Sequence, residues 1–207
     1  AGTATITAAQ IDNGSSDACG IASLSLNNTT FDCSNVGANT VVLTATDTNG
    51  NASTCSAIVT VEDNVAPVAT CQALTVQLNA AGTATITAAQ IDNGSSDACG
   101  IVSTTIDVSS FDCTNVGANT VTLTVTDNNG NVSTCTSTVT VEDNVDPNAV
   151  CQDITVQLSA LGAATITAAD INNGSNDACG IASTTIDVSS FDCTNVGAKT
   201  VVLTVTD

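Results

Sequence analysis

Basic residues are almost absent from this chain of 207 residues, which has one lysine, no arginine and no histidine against twenty acidic residues. The formal net charge is −19 at pH 7. Nucleic acids and anionic membranes bind proteins through a positively charged footprint. The composition therefore excludes both as natural partners, and it favours cations or a well-solvated surface.

Aromatic residues are also scarce, with three phenylalanines and neither tryptophan nor tyrosine. Phe31, Phe111 and Phe191 recur at a fixed interval and are expected to fill the core. No apolar run is long enough to span a bilayer, so we expect no membrane insertion. The chain also lacks histidine and any activated-nucleophile pattern, and we expect no enzymatic activity.

The ten cysteines include no C-x-x-C pair and have no histidine beside them. Structural zinc sites usually use such close pairs or mix in histidine. Regular, wide spacing in an acidic, threonine-rich chain instead indicates a disulfide framework. Disulfides persist in oxidising surroundings, so we expect the protein to be extracellular or at a cell surface.

An internal repeat of eighty residues organises the chain. The segment AGTATITAAQIDNGSSDACG stands at residue 1 and again at residue 81, and LGAATITAADINNGSNDACG follows at residue 161. Divided at the acidic linkers, the chain gives three predicted domains. These are residues 1–65 without a first strand, a complete domain at 66–145, and residues 146–207 without a last strand. We therefore expect the chain to belong to a longer tandem array.

Alternating apolar and polar residues within the central repeat predict β-strands. No segment has a convincing helical period. Several short strands separated by turns at this spacing predict an all-β fold of tandem immunoglobulin-like sandwiches of about eighty residues each. The predicted strands are 74–78, 83–88, 101–108, 120–126 and 134–141.

Two consecutive runs in the repeat, TVTLTVTDNNGNVSTC and VTVEDNVDPNAVC, resemble the hyalin-repeat type of immunoglobulin-like module. The resemblance extends through all three repeats. It implies a secreted or cell-surface bacterial protein with an adhesive or structural role. It transfers no catalytic activity to these residues.

The direction of successive strands suggests how the cysteines pair. Cys71 and Cys135 lie on the first and last strands of the central repeat, near one pole, and we expect them to be bonded. Four cysteines permit three connectivities, and the second predicted bridge is Cys99–Cys113. The same pattern predicts Cys19 with Cys33 and Cys179 with Cys193. Cys55 and Cys151 would then have partners outside this sequence.

The same strand tracking gathers acidic residues at each junction between repeats, with no cation to neutralise them. Calcium binds six to eight oxygen ligands and tolerates irregular geometry. We therefore expect calcium as a cofactor at these junctions. The alternative is that these residues only form tight turns and a solvated linker. The candidate ligands are Glu62, Asp63, Asn64, Asp92, Asp97 and Asp127 at one junction, and Glu142, Asp143, Asn144, Asp177 and Asp207 at the next.

Two functions remain open. The first is a structural segment of an extracellular fibre or stalk, whose partners are neighbouring copies or the continuation of the array. The second is a cell-surface adhesin that binds a glycan or protein through its loops, although such sites usually rely on the Trp, Tyr and Arg missing here. Possible glycosylation sites are Asn13, Asn93, Asn131 and Asn173.

Overall fold

A computed structural model describes residues 2–207, and its regular elements are mainly β-strands with a few short helical turns. The all-β expectation is confirmed. Each repeat contains several strands, one α-helical turn and one 3₁₀ turn. The first repeat has β1 (Thr3–Thr5), α1 (Ala8–Ile11), β2 (Ile21–Leu26), β3 (Thr30–Asp32), η1 (Cys33–Asn35), β4 (Gly37–Asp47) and β5 (Ala52–Val61).

The central repeat adds one strand at its beginning. Its elements are β6 (Leu74–Gln77), β7 (Thr83–Thr85), α2 (Ala88–Ile91), β8 (Ile101–Ile106), β9 (Ser110–Asp112), η2 (Cys113–Asn115), β10 (Gly117–Asp127) and β11 (Val132–Glu142). The last repeat has β12 (Ala163–Thr165), α3 (Ala168–Ile171), β13 (Ser183–Ile186), β14 (Ser190–Asp192), η3 (Cys193–Asn195) and β15 (Leu203–Thr206).

The helical turns are a difference from the strand prediction. Residues 83–88 were expected to form one strand, whereas β7 ends at Thr85 and α2 begins at Ala88. The Gln90 side chain accepts a hydrogen bond from the Thr87 N–H at 2.8 Å. This N-terminal hydrogen bond stabilises a single turn, which is too short to leave a helical period in the sequence.

The chain forms two compact units. The first consists of residues 1–71, 92–106 and 122–135. In it, β2, β4 and β5 form an antiparallel sheet in the order β2-β4-β5, β1 pairs with β3, and β8 pairs with residues 123–127 of β10. Alternate residues of the strands point inward, as the period of two requires. Its buried apolar side chains are Phe31, Val41, Leu43, Leu123 and Val125.

The second unit consists of residues 72–91, 107–121 and 136–207. β6 runs parallel to residues 139–142 of β11, and the pairs β7–β9, β12–β14 and β13–β15 are antiparallel. Its fully or nearly fully buried apolar side chains include Ile91, Phe111, Val121, Val139 and Val141. Phe191 packs against a smaller cluster of Ile166, Ile171 and Leu203.

Within residues 2–207, no helix has the length and apolar character needed to cross a membrane.

Candidate functional site: the joints between repeats

Two disulfides connect each repeat to the next one. Cys33 of the first repeat is bonded to Cys99 of the central repeat, and Cys113 of the central repeat is bonded to Cys179 of the last. Both bridges join residues 66 positions apart. We call these two bridges the staples. The three disulfides of the structure indicate that the protein matures in an oxidising environment.

The staples correct the predicted pairing of Cys99 with Cys113, and with it the pairs Cys19–Cys33 and Cys179–Cys193. Cys99 precedes β8, and Cys113 follows both β8 and the three-residue β9, so a strand of six residues carries the chain away from Cys99 before it reaches Cys113. A strand of six residues spans roughly 20 Å, whereas bonded cysteines need Cα atoms within about 7 Å. Each of the two cysteines is instead bonded to a cysteine of a neighbouring repeat.

The third disulfide is internal to the central repeat and confirms the predicted bond between Cys71 and Cys135. It ties β11 to the segment just before β6. These two strands run parallel, with Val139 opposite Leu74 and Val141 opposite Val76. The bond therefore fixes the strand that opens the repeat to the strand that closes it.

A glycine lies against each staple, and the sequence analysis did not identify it. A Cβ atom added at Gly82 would lie 2.7 Å from the Cys113 Sγ and 3.1 Å from the Ala178 Cβ. Gly2 is crowded in the same way by Cys33 and Cys99. The signal was available in the sequence, because a glycine stands at positions 2, 82 and 162, at the repeat period.

Two aspartates lie beside the first staple. Carboxylate oxygens of Asp63 and Asp97 lie within 4.8 Å of each other and of the Cys99 sulfur. The Asp97 Oδ1 accepts a hydrogen bond from the Cys99 N–H at 2.7 Å, which fixes the loop that presents the cysteine. The Asp63 Oδ1 accepts from the Val65 N–H at 3.1 Å, while its Oδ2 is buried without a hydrogen-bond partner.

The second staple has the same surroundings. Carboxylate oxygens of Asp143 and Asp177 lie within 4.8 Å of each other and of the Cys179 sulfur. The Asp177 Oδ1 accepts from the Cys179 N–H at 2.7 Å. The arrangement of aspartate pair and disulfide is therefore a repeated feature of the joints.

Several of the remaining predicted ligands are held in other interactions. Asp92 accepts a hydrogen bond from the Ser95 N–H within its own loop. Glu142 and Asn144 both bond to the Gln77 side chain. The other predicted ligands outside the aspartate pairs are Glu62, Asn64 and Asp207, which are exposed, and Asp127, which is fully buried.

Asp127 organises the turn between β10 and β11. Its Oδ1 accepts the N–H groups of Asn129 and Asn131 at 2.9 and 2.8 Å, and its Oδ2 accepts the Asn131 side-chain amide at 2.8 Å. Burial raises the pKa of Asp127, but the hydrogen bonds from Asn131, Asn129 and Gly130 lower it further, so the net pKa lies below its ordinary value. The carboxylate therefore has a structural task in its charged form.

Asn131 also connects this turn to the linker. Its side-chain nitrogen donates a second hydrogen bond to the backbone oxygen of Asp63 at 3.0 Å. A glycan would be attached to this same nitrogen, which is already committed to two acceptors. The other predicted glycosylation sites, Asn13, Asn93 and Asn173, are exposed.

Four cysteines, Cys19, Cys55, Cys151 and Cys193, are unpaired in the structure, and all four are exposed. They are the counterparts of bonded cysteines in other repeats, at the same phase of the eighty-residue period.

A comparison of the chain with protein-family models and with curated proteins finds no match.

Proposed function

We propose that this chain is a segment of an extracellular fibre or stalk built from tandem immunoglobulin-like repeats of the hyalin-repeat type. The observation that carries the proposal is the placement of the staples. Cys33–Cys99 and Cys113–Cys179 each join a cysteine of one sequence repeat to a cysteine of the next repeat. Covalent joints between successive repeats suit a protein that must resist pulling and bending.

The energetics support this view. In the chain-entropy model, closing a loop of about 65 residues lowers the free energy of the folded chain relative to the unfolded chain by roughly 4 kcal/mol. The same bond also limits how far two repeats can separate once either one unfolds. Repeat proteins act through the number and rigidity of their units, and such joints add rigidity where linkers are usually flexible.

Calcium at the joints is a second part of the proposal. At each joint an aspartate pair, Asp63 with Asp97 or Asp143 with Asp177, has no basic side chain to neutralise it, since Lys199 is the only basic residue in the chain. The buried, unpartnered Oδ2 of Asp63 is favourable for a cation, because an uncompensated buried charge is costly.

The donor set fits a weakly held hard cation. The neighbouring sulfur belongs to a disulfide and is no thiolate ligand, so the donors are carboxylate oxygens. Two carboxylates offer at most four of the six to eight oxygens that calcium takes, and water would supply the rest. We therefore expect dissociation constants near 1 mM, in the range of extracellular calcium modules. The bound ion would hold the linker aspartate against the loop of the next repeat.

Thermal unfolding of the whole chain tests the calcium proposal. With 10 mM calcium and a dissociation constant near 1 mM, the unfolding temperature should rise by roughly 3–6 °C per site relative to a chelator. The double variant Asp97→Asn with Asp177→Asn should lose this response, because each joint then keeps one carboxylate. Asp153→Asn removes one carboxylate at an exposed site and should keep it. An equal response in all three proteins, or none in the wild type, contradicts the calcium proposal.

Electron microscopy of native surface material tests the structural role itself. Antibodies against the chain should label filaments whose axial repeat follows the eighty-residue domain period. The competing function is an adhesin. Specific retention of the whole chain by a glycan array, with no labelled filaments on the surface, would favour that function and overturn the structural one.

A further inference from the structure

Cys193 occupies the same position in the last repeat as Cys33 and Cys113 occupy in the first two repeats. Its Sγ lies 3.8 Å from the backbone oxygen of Gly162, and the corresponding distances are 3.7 Å for Cys33 to Gly2 and for Cys113 to Gly82. It begins η3, and Cys33 and Cys113 begin η1 and η2. Of these three cysteines, only Cys193 has an unpaired, exposed thiol.

The N-terminal cap of the 3₁₀ turn that begins at this cysteine is also the same in all three repeats. The Asp192 Oδ1 accepts the Thr194 N–H at 2.8 Å, as Asp112 does from Thr114 and Asp32 from Ser34. These bonds fix the backbone on both sides of the cysteine. Cys193 is therefore already held in the conformation from which its counterparts form a staple.

Cys19 has the geometry of the opposite half. Its N–H donates to the Asp17 Oδ1 at 2.7 Å, the same distance at which the N–H groups of Cys99 and Cys179 donate to Asp97 and Asp177. The loop has the same sequence, DACG, in all three repeats. Cys19 is nevertheless an unpaired, exposed thiol.

We propose that Cys193 and Cys19 are the two halves of further staples of the same kind, so that Cys193 bonds to the DACG cysteine of a neighbouring repeat; between separate copies of this chain that cysteine is Cys19, and the copies join head to tail. The inference rests on the structural role proposed above and specifies its covalent contact. Because this contact joins Cys193 of one copy to Cys19 of the next, it is heterologous, and each copy can bond to two others.

The bond forms by thiol–disulfide exchange with a small dialkyl disulfide such as oxidised glutathione. The Cys193 thiolate attacks one sulfur of the oxidant, forming a mixed disulfide and releasing one reduced thiol. The Cys19 thiolate of the second copy then attacks the Cys193 sulfur and releases the second reduced thiol. Two protein thiols are thus oxidised, and one disulfide of the oxidant is reduced to two thiols.

The other two unpaired thiols favour a different contact. Cys55 corresponds to Cys135 and Cys151 to Cys71, whose bond lies inside a repeat. A bond between Cys55 and Cys151 of two copies would require residues 154–157 to pair with β5 as β6 pairs with β11. Residues 154–157 form no strand in the structure, so this half lacks the prior order that Cys19 and Cys193 already have.

The whole chain tests the inference when it is incubated in a glutathione redox buffer, alkylated and run on a non-reducing gel. The wild type should give a ladder of multimers that collapses on reduction. Cys151→Ser should keep the ladder. Cys19→Ser and Cys193→Ser should each abolish it alone, and an equal mixture of these two variants should stop at the dimer, because each copy then offers one half.

Peptide mapping identifies the bond. The single lysine makes trypsin unsuitable, so a protease that cleaves at acidic residues is used. Mixed ¹⁴N- and ¹⁵N-labelled copies should give a peptide pair joining Cys193 to Cys19 with one label on each side. A wild type that stays monomeric with both internal staples intact overturns the inference and leaves the structural role standing. Linkage through Cys55 and Cys151 also overturns the inference. Loss of Cys33–Cys99 and Cys113–Cys179 from the map would instead contradict the structural role.

Discussion

Single residues decide whether the staples can form, and the glycines beside them are an example. Gly82 has a left-handed backbone with φ of +69°, and it also lies against the Cys113 sulfur. Gly94 has a similar φ of +82°, but an added Cβ there would meet nothing within 4 Å. A comparison of substitutions at Gly82 and Gly94 therefore separates the cost of the backbone conformation from the cost of crowding the disulfide.

Replacing Gly82 with alanine should destabilise the protein more than replacing Gly94. Both changes pay about 1–2 kcal/mol for a left-handed alanine. Only Gly82→Ala also drives a methyl group into the staple, which should lower the unfolding temperature further and reduce the share of chains with the Cys113–Cys179 bond. Calorimetry and disulfide mapping measure the two effects. Equal losses of stability with equal bridge occupancy would show that the glycine has no role at the staple.

At the scale of structural elements, the turn between β10 and β11 depends on one charged side chain. The hydrogen bonds to Asp127 stabilise its ionised form, so its pKa in the folded protein lies below the unfolded value of about 4. The stabilisation is therefore complete above that value. It is lost as the pH falls from about 4 through the lower folded pKa, because the unfolded chain then binds the proton more tightly.

Asp127→Asn should flatten this part of the pH dependence. The variant keeps the shape of the side chain and loses the titrating group, so it should be less stable than wild type at neutral pH. The difference between the two proteins should shrink as the pH falls below 4. Urea unfolding at pH 7, 5, 4 and 3 measures it. A difference that stays constant down to pH 3 would show that the charge of Asp127 does not stabilise the turn.

The strands and the staples differ in how far the sequence predicts them. Alternation predicts β10 and β11, because inward residues such as Val121 and Val139 recur at every second position. It does not predict α2, whose single turn depends on the bond between Thr87 and Gln90. The Cys71–Cys135 bond follows from strand direction, since both cysteines lie near one end of the repeat.

The staples are harder to predict for a reason that belongs to repeats. For Cys99, the candidate partner in its own repeat is Cys113 and the candidate partner in the preceding repeat is Cys33, and these two stand at the same phase of the period. Spacing alone therefore gives equal support to Cys99 with Cys113 and to Cys33 with Cys99. The length of β8 decides between them, because the strand separates Cys99 from Cys113. The aspartate pairs were within the predicted ligand sets, but only side-chain geometry separates Asp97 from Asp92.

At the scale of the whole molecule, the three disulfides close overlapping loops. Cys71 lies inside the loop closed by Cys33–Cys99, and Cys113 lies inside the loop closed by Cys71–Cys135. Every residue between Cys33 and Cys179 therefore belongs to at least one closed loop. A single backbone break in this range leaves the two ends of the chain covalently joined, which is an advantage for a protein exposed to proteases and to load.

Stretching one molecule by its termini tests this account most directly. In the oxidised chain the shortest covalent path follows residues 1–33, 99–113 and 179–207 and crosses both staples. At about 3.6 Å per residue, its fully extended length should be roughly 270 Å, against roughly 740 Å after reduction. A force–extension measurement with and without reductant gives both lengths. The account predicts the short length under oxidising conditions and the long one after reduction, and an oxidised chain that extends as far as the reduced one would contradict it.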